Sequence, residues 1–178
     1  MTKICIMGTF QSGSTRLFNL VRLIYEKKGK TVYSRRHINA SDLDHLNSKY
    51  DIVLCKVHNL SKSFNYLNYY DIKLLPIRNI LDSALSAACR DYNIRQYKID
   101  KDFYVNNCLM NVGLFEKFKP LSDFIFKYES YNVNYIKKLC SILNVNLETN
   151  EILILNFDAE QTDFVRFNHA KIRQAGNV

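Results

Sequence analysis

The sequence predicts an α/β fold: one domain over residues 1–178, three layers α/β/α, with a central, mostly parallel sheet of about five strands. Three observations carry this. Short apolar runs of strand length alternate with amphipathic stretches of helix length, and such alternation implies parallel βαβ crossovers with both sheet faces covered. The 178 residues suffice for one hydrophobic core and are too few for two. No internal repeat, low-complexity tract or Gly/Ser linker divides the chain.

The elements follow in order. Lys3–Gly8 is a short apolar strand (Ile4, Cys5, Ile6, Met7) ending at glycine. Ser14–Lys27 predicts a helix, because Leu17, Phe18, Leu20, Val21, Ile24 and Tyr25 recur at helical spacing. Gly29 closes it as a C-cap. Thr31–Ser34 reads as a second strand, Asp42–Ser48 as a short helix and Asp51–Val57 as a buried third strand. Asp71–Ile77 is the fourth strand, followed by a helix over Ile80–Tyr92 with Leu81, Ala84, Leu85 and Ala88 inward. Lys101–Lys117 predicts another helix, using Tyr104, Cys108, Leu109, Val112 and Phe115. Ser122–Tyr128 is the fifth strand and Tyr131–Leu143 a further helix, while the apolar run in Glu148–Phe157 fits strand or helix equally.

Composition narrows the class. With 47% hydrophobic and 24% charged residues, the chain is in the range of ordinary globular domains. No apolar run approaches the roughly 18–20 residues of a membrane span, and Met1–Met7 is too short for a signal sequence core. Five cysteines, scattered and without a CxxC pair, argue against a disulfide framework or zinc knuckle. They predict buried thiols in a reducing compartment, with the cytoplasm as the expected location. The net charge of +8 and pI near 9.2 favour encounters with anions: nucleotides, sulfated products, nucleic acid or anionic lipid. The densest basic cluster, Lys27–Arg36, reads as a solvated helix end. Specific nucleic-acid binding has only this charge behind it, since no recognition motif is present.

In a parallel sheet the ligand edge is the carboxyl end of the strands, so the turns there are the places for chemistry. Gly8-Thr-Phe-Gln-Ser-Gly13-Ser14-Thr15 follows a strand and opens a helix with the GxxxxG spacing of a phosphate-binding loop. Backbone N–H groups and the helix dipole favour an anion at that point. This gives the fold a P-loop NTPase-like aspect. Ser14 nevertheless stands where an ATP- or GTP-hydrolysing loop carries the lysine that contacts the β- and γ-phosphates. A purely structural role, Ser14 and Thr15 capping the helix, is the competing reading.

The third strand ends in Lys56-Val57-His58. Alternation puts Lys56 and His58 on one side at the ligand edge. An imidazole changes charge near neutral pH and can take a proton from a hydroxyl. The fourth strand runs into Pro76-Ile77-Arg78-Asn79, and Ser86 lies about two turns into the following helix. Arg78 and Ser86 together form a candidate second anion site, with arginine supplying bidentate hydrogen bonds. Two anion sites on successive strand ends suggest a ligand with phosphates at two positions.

This constellation resembles the PAPS-dependent sulfotransferases, which use 3′-phosphoadenosine 5′-phosphosulfate. Gln11-Ser12-Gly13-Ser14-Thr15 is similar to their 5′-phosphosulfate loop, Lys56-Val57-His58 to their Lys-x-His signature, and Arg78 with Ser86 to their 3′-phosphate motif. Tyr128-Glu129 resembles their Tyr-Glu pair, and the stretch from His169 through Arg173 to Gly176 their closing segment. The motifs occur in the family's order and span almost the whole chain.

The resemblance implies that Ser12–Arg16, comprising Ser12, Gly13, Ser14, Thr15 and Arg16, cradle the 5′-phosphosulfate next to Gln11. It implies that Arg78 and Ser86 hold the 3′-phosphate with help from Arg173. Lys56 would neutralise charge on the sulfuryl group or its leaving oxygen. His58 would be the general base toward an acceptor hydroxyl on a small molecule or carbohydrate, with PAP as product and no metal. Tyr128 and Glu129 would be structural supports. Two departures stand out: Gln11 replaces the family's basic loop residue, with Arg16 or Lys56 to compensate, and the sequence ends at Val178, before the family's Gly-Asp-Trp-like segment. A truncated or minimal member fits that ending. A P-loop nucleotide kinase or NTPase, or a non-catalytic module that binds PAP, polyanions or a partner, stays open beside the enzyme. The acceptor pocket is expected from Val32–Asn47 and Asp91–Asn107, whose Tyr, His and Arg content fits sugars, phenols or peptides alike.

Overall fold

The computed structural model describes residues 1–35, 38, 43, 45–46, 49–58, 64–95 and 101–161. Its strands are β1 (Thr2–Met7), β2 (Val32–Arg35), β3 (Ile52–Val57), β4 (Ile72–Ile77) and β5 (Phe124–Lys127). Its helices are α1 (Ser14–Lys27), α2 (Ile80–Arg95), α3 (Lys101–Phe118), α4 (Val133–Ile142) and α5 (Thr149–Gln161). Short 3-10 helices occupy Phe64–Tyr69, Lys119–Leu121 and Tyr128–Ser130. The sheet runs β2-β3-β1-β4-β5 and every pair is parallel, so the expected five-stranded α/β architecture is what the chain adopts.

Both faces of the sheet are buried, as a parallel sheet requires. Ile4, Ile6, Ile52, Leu54 and Leu74 point to one side, against Leu17, Leu20 and Ile24 of α1, Ile136 and Leu139 of α4, and Ile152 and Leu155 of α5. Cys5, Met7, Val53, Cys55, Val57 and Leu75 point to the other, where Leu43, Leu67, Tyr70 and Phe118 cover them. The side chains alternate with the two-residue period of an extended strand. Cys5, Cys55 and Cys140 are buried as expected, whereas Cys89 is exposed. Burial pushes the Cys5 thiol well up, which keeps it an inert packing group.

The amino-terminal edge of the sheet is pinned by a repeated device. Aspartates just before three strands accept backbone N–H groups from a neighbouring chain segment: Asp51 from Thr31 at 2.8 Å, Asp71 from Lys3 at 2.7 Å and Asp123 from Lys73 at 2.6 Å. Each fixes the register of a parallel pair at the end away from the ligand edge.

One open reading is settled and two change. The run within Glu148–Phe157 is helical. In α2 the inward residues are Ser83, Ala84, Ala87 and Ala88, while Leu81 and Leu85 are exposed. In α3, Asn111 and Phe118 are buried, whereas Leu109 and Val112 face outward. Of Asp42–Ser48, the described residues Leu43, His45 and Leu46 are helical, and the rest of that segment lies outside the described residues.

Candidate functional site

β1 is the central strand, flanked by β3 and β4, so the turns after these three strands meet at one point of the carboxyl edge. This is the crevice where the direction of strand addition reverses and where such sheets bind ligands. The first turn is wound tightly. Gln11 and Gly13 both take left-handed backbone conformations, at φ 56° and φ 79°, and Gly13 is the N-cap of α1. A Cβ on Gly13 would run into the Tyr128 ring. A Cβ on Gly8 would lie 2.5 Å from Ser14 Cβ and 3.1 Å from His58 Cε1. Both glycines are therefore set by close approach, and Gly13 also by its backbone angle. Inside the turn, the buried Ser12 hydroxyl donates to the Thr9 carbonyl at 2.9 Å. Ser14 and Thr15 lie within the helix, so neither is its N-cap.

β3 delivers two groups onto this turn. Lys56, 6% exposed, donates from Nζ to Thr15 Oγ1 at 2.6 Å. His58 Nδ1 lies 2.9 Å from the Gly8 carbonyl oxygen. A carbonyl only accepts, so Nδ1 carries the proton of that bond, and the neutral ring has its lone pair on Nε2. The Phe10 ring stacks near His58, with centroids 6.0 Å apart and planes at 15°.

β4 and β5 supply the other rim. Asn79 Oδ1 accepts the Leu81 N–H at 2.9 Å and so caps α2, while the Asn79 N–H donates to Glu129 Oε1 at 2.7 Å. Arg78 is held just before that cap, with its guanidinium 4.9 Å from the Tyr128 ring centroid. Ser83 donates to the Gln11 carbonyl at 3.4 Å, and Ser86, half-buried, follows one turn later on the same face. Tyr128 thus lies between Arg78 and the loop glycine. Arg16 has its guanidinium 3.9 Å from the Tyr131 ring centroid and donates to Asn156 Oδ1 at 3.2 Å. Arg16 also lies 5.6 Å from the centroid of the Tyr128 ring, whereas Lys56 touches the loop directly through Thr15.

The structure therefore gathers Gln11, Ser12, Gly13, Ser14, Thr15, Lys56, His58 and Arg78 around one turn, with Ser86 on the α2 face above it. Arg173, with His169 and Gly176, lies outside the described residues. Three contributors carried no sequence signal as site residues: Asn111, whose Oδ1 accepts the Phe10 N–H at 2.9 Å, Ser83 and Asn156. Among the described residues, no cluster of three or more His, Cys, Asp or Glu side chains is placed to hold a metal ion, and no helix is long and apolar enough to cross a membrane.

No family profile and no curated protein sequence matches the chain. Solved structures do. A mouse sulfotransferase, SULT7A1, complexed with PAP, superposes with a TM-score of 0.64 at 13% identity over 89% of this chain. The chain spans 64% of that sulfotransferase's length. Shikimate kinase from Acinetobacter baumannii, in complex with shikimate, gives a TM-score of 0.49 at 15% identity over 83% of this chain and 96% of the kinase. TT1252 from Thermus thermophilus gives 0.49 at 11% identity, over 80% and 96%. At these identities the likeness concerns the fold alone: the chain shares its parallel-sheet α/β fold with a sulfotransferase.

Proposed function

We propose that this protein is a sulfotransferase, moving a sulfuryl group from PAPS to a hydroxyl of a small-molecule or carbohydrate acceptor. One observation carries the reading: β3 sets both Lys56 and His58 onto the phosphate loop, with contacts of 2.6 Å to Thr15 and 2.9 Å to Gly8. In magnesium-dependent P-loops the hydroxyl at the Thr15 position holds the metal. Here that hydroxyl is bound by an ammonium, so a protein cation stands at the place of greatest negative charge. This favours sulfuryl transfer over kinase chemistry.

The residues fit such a donor. The N-terminus of α1 and the turn amides would face an anion, and Arg78 offers a second phosphate a guanidinium. When bound, the donor would supply an activated sulfuryl group on a phosphate leaving group. His58 takes the acceptor's hydroxyl proton on Nε2, while Nδ1–H, bonded to the Gly8 carbonyl, fixes the ring's direction. Lys56 and the loop amides hold the negative charge that accumulates on the departing oxygen, and do so pre-positioned.

The test is calorimetric titration with PAP, without metal, beside 5′-AMP and Mg·ATP. PAP is expected to bind at least tenfold more tightly than AMP, a gap of about 1.4 kcal/mol, the result expected if Arg78 and Ser86 receive its extra phosphate. Preference for Mg·ATP would transfer the protein to the kinase reading, and binding of none of them would leave a non-catalytic fold.

A further inference from the structure

Asn111 lies on α3, a helix that contributes no other group to the loop in the contacts described above, and it is 2% exposed. The Phe10 N–H donates to its Oδ1 at 2.9 Å. Since an N–H donates only to the oxygen, this bond decides which way round the carboxamide sits and sends Nδ2 away from Phe10. Nδ2 is buried and has no hydrogen-bond partner among the described residues. Folded proteins leave very few buried donors without a partner, and those that remain call for an explanation.

Its position supplies one. Phe10 shares its end of the loop with His58, whose ring stacks near it and whose Nδ1 holds Gly8. Arg78 and Tyr128 mark the other side, by Gly13. Asn111 therefore reaches the loop at the end where the base stands. We propose that Asn111 Nδ2 donates a hydrogen bond to an oxygen of the transferable tetrahedral group, while Oδ1 positions the loop through Phe10. The chemistry recognised is an oxyanion carried on a nucleotide, sulfuryl in the reading above and phosphoryl in its alternative. The inference rests on the site being a group-transfer site.

The test compares wild type with Asn111→Asp and Asn111→Leu by calorimetry, using two ligand pairs that differ only in the transferable group: PAPS with PAP, and Mg·ATP with Mg·ADP. Thermal unfolding checks that each variant folds. Asn111→Asp keeps an oxygen for the Phe10 N–H and so serves if Asn111→Leu fails to fold. It should weaken PAPS by about tenfold or more, because it sets a carboxylate against an anion, while PAP stays near its wild-type affinity. If wild type binds only the Mg·ATP pair, the sulfuryl reading falls and the same ratio is read on ATP against ADP. Equal loss of both members of the bound pair, or loss of neither, would overturn the role assigned to Nδ2. Wild type binding neither pair would overturn it together with the transfer site.

Discussion

His58 and Lys56 are two residues apart at the end of β3, yet they hold different groups of the loop. The His58 ring is oriented through the Gly8 carbonyl, and the Lys56 ammonium is lodged on the Thr15 hydroxyl. Replacing His58 by Ala removes the proposed base and its bond to the Gly8 carbonyl and leaves Lys56 and Arg78 in place. Turnover should fall by about 10²–10⁴-fold, with PAP affinity nearly unchanged. Near-full activity in His58→Ala would assign the proton to another group. Lys56→Met keeps the buried stem and removes the charge, so both the rate and the affinity for the donor should drop. Much of this was legible in the sequence because loop, Lys-x-His and Arg-x7-Ser are local spacings on single turns. Asn111 and Ser83 were not. Their partners lie 101 and 72 residues away, and nothing in an isolated helix distinguishes an amide that will meet a loop from one that meets water.

At the scale of the element, strand positions were legible because fully buried parallel strands read as continuous apolar runs ending in turns. Helix faces were harder. In α5, Ile152, Leu155 and Ala159 are buried at helical spacing, but Leu153, Ile154 and Phe157 are exposed and fill the gaps between them. The resulting run has no visible period. The same mixing in α2 and α3 turned the expected inward faces of Leu85 and Leu109 outward.

The pinned amino-terminal edge offers a test at this scale. Asp51 accepts the Thr31 N–H at 2.8 Å and the Thr31 hydroxyl at 2.9 Å, and these bonds, the backbone one foremost, hold its carboxyl below the usual range. A carboxylate lowered on folding adds stability that is full above the unfolded value, near 3.9, and is lost as pH falls through the folded one. Asp51→Ala should therefore melt at a lower temperature than wild type at pH 7. The difference should narrow steadily below about pH 4. A gap that stays constant down to pH 3 would show that the ion contributes nothing and that only packing was lost.

Over the whole molecule, the charge of +8 and the single ligand edge act together. At the amino-terminal edge of the sheet Lys30 lies 3.9 Å from Asp51 and Lys73 lies 3.7 Å from Asp123, so two of the acidic pins are balanced there, while Lys56 and Arg78 stand at the carboxyl edge. An anionic nucleotide that binds at the carboxyl edge, as proposed, would be drawn there by this excess of positive charge, and such steering raises association rates by roughly 10–10³-fold at low salt. Screening shortens its reach to about 3 Å at 1 M ionic strength, from about 30 Å at 0.01 M. Stopped-flow association of PAP should therefore slow by about tenfold or more between these salts. Its dissociation rate, governed by short contacts that ions do not penetrate, should change far less. Adenosine, uncharged, is the control, and its association should be indifferent to salt. A PAP association rate that ignores salt would mean that the +8 is a sum without direction, and that capture depends on Lys56, Arg78 and the loop amides alone.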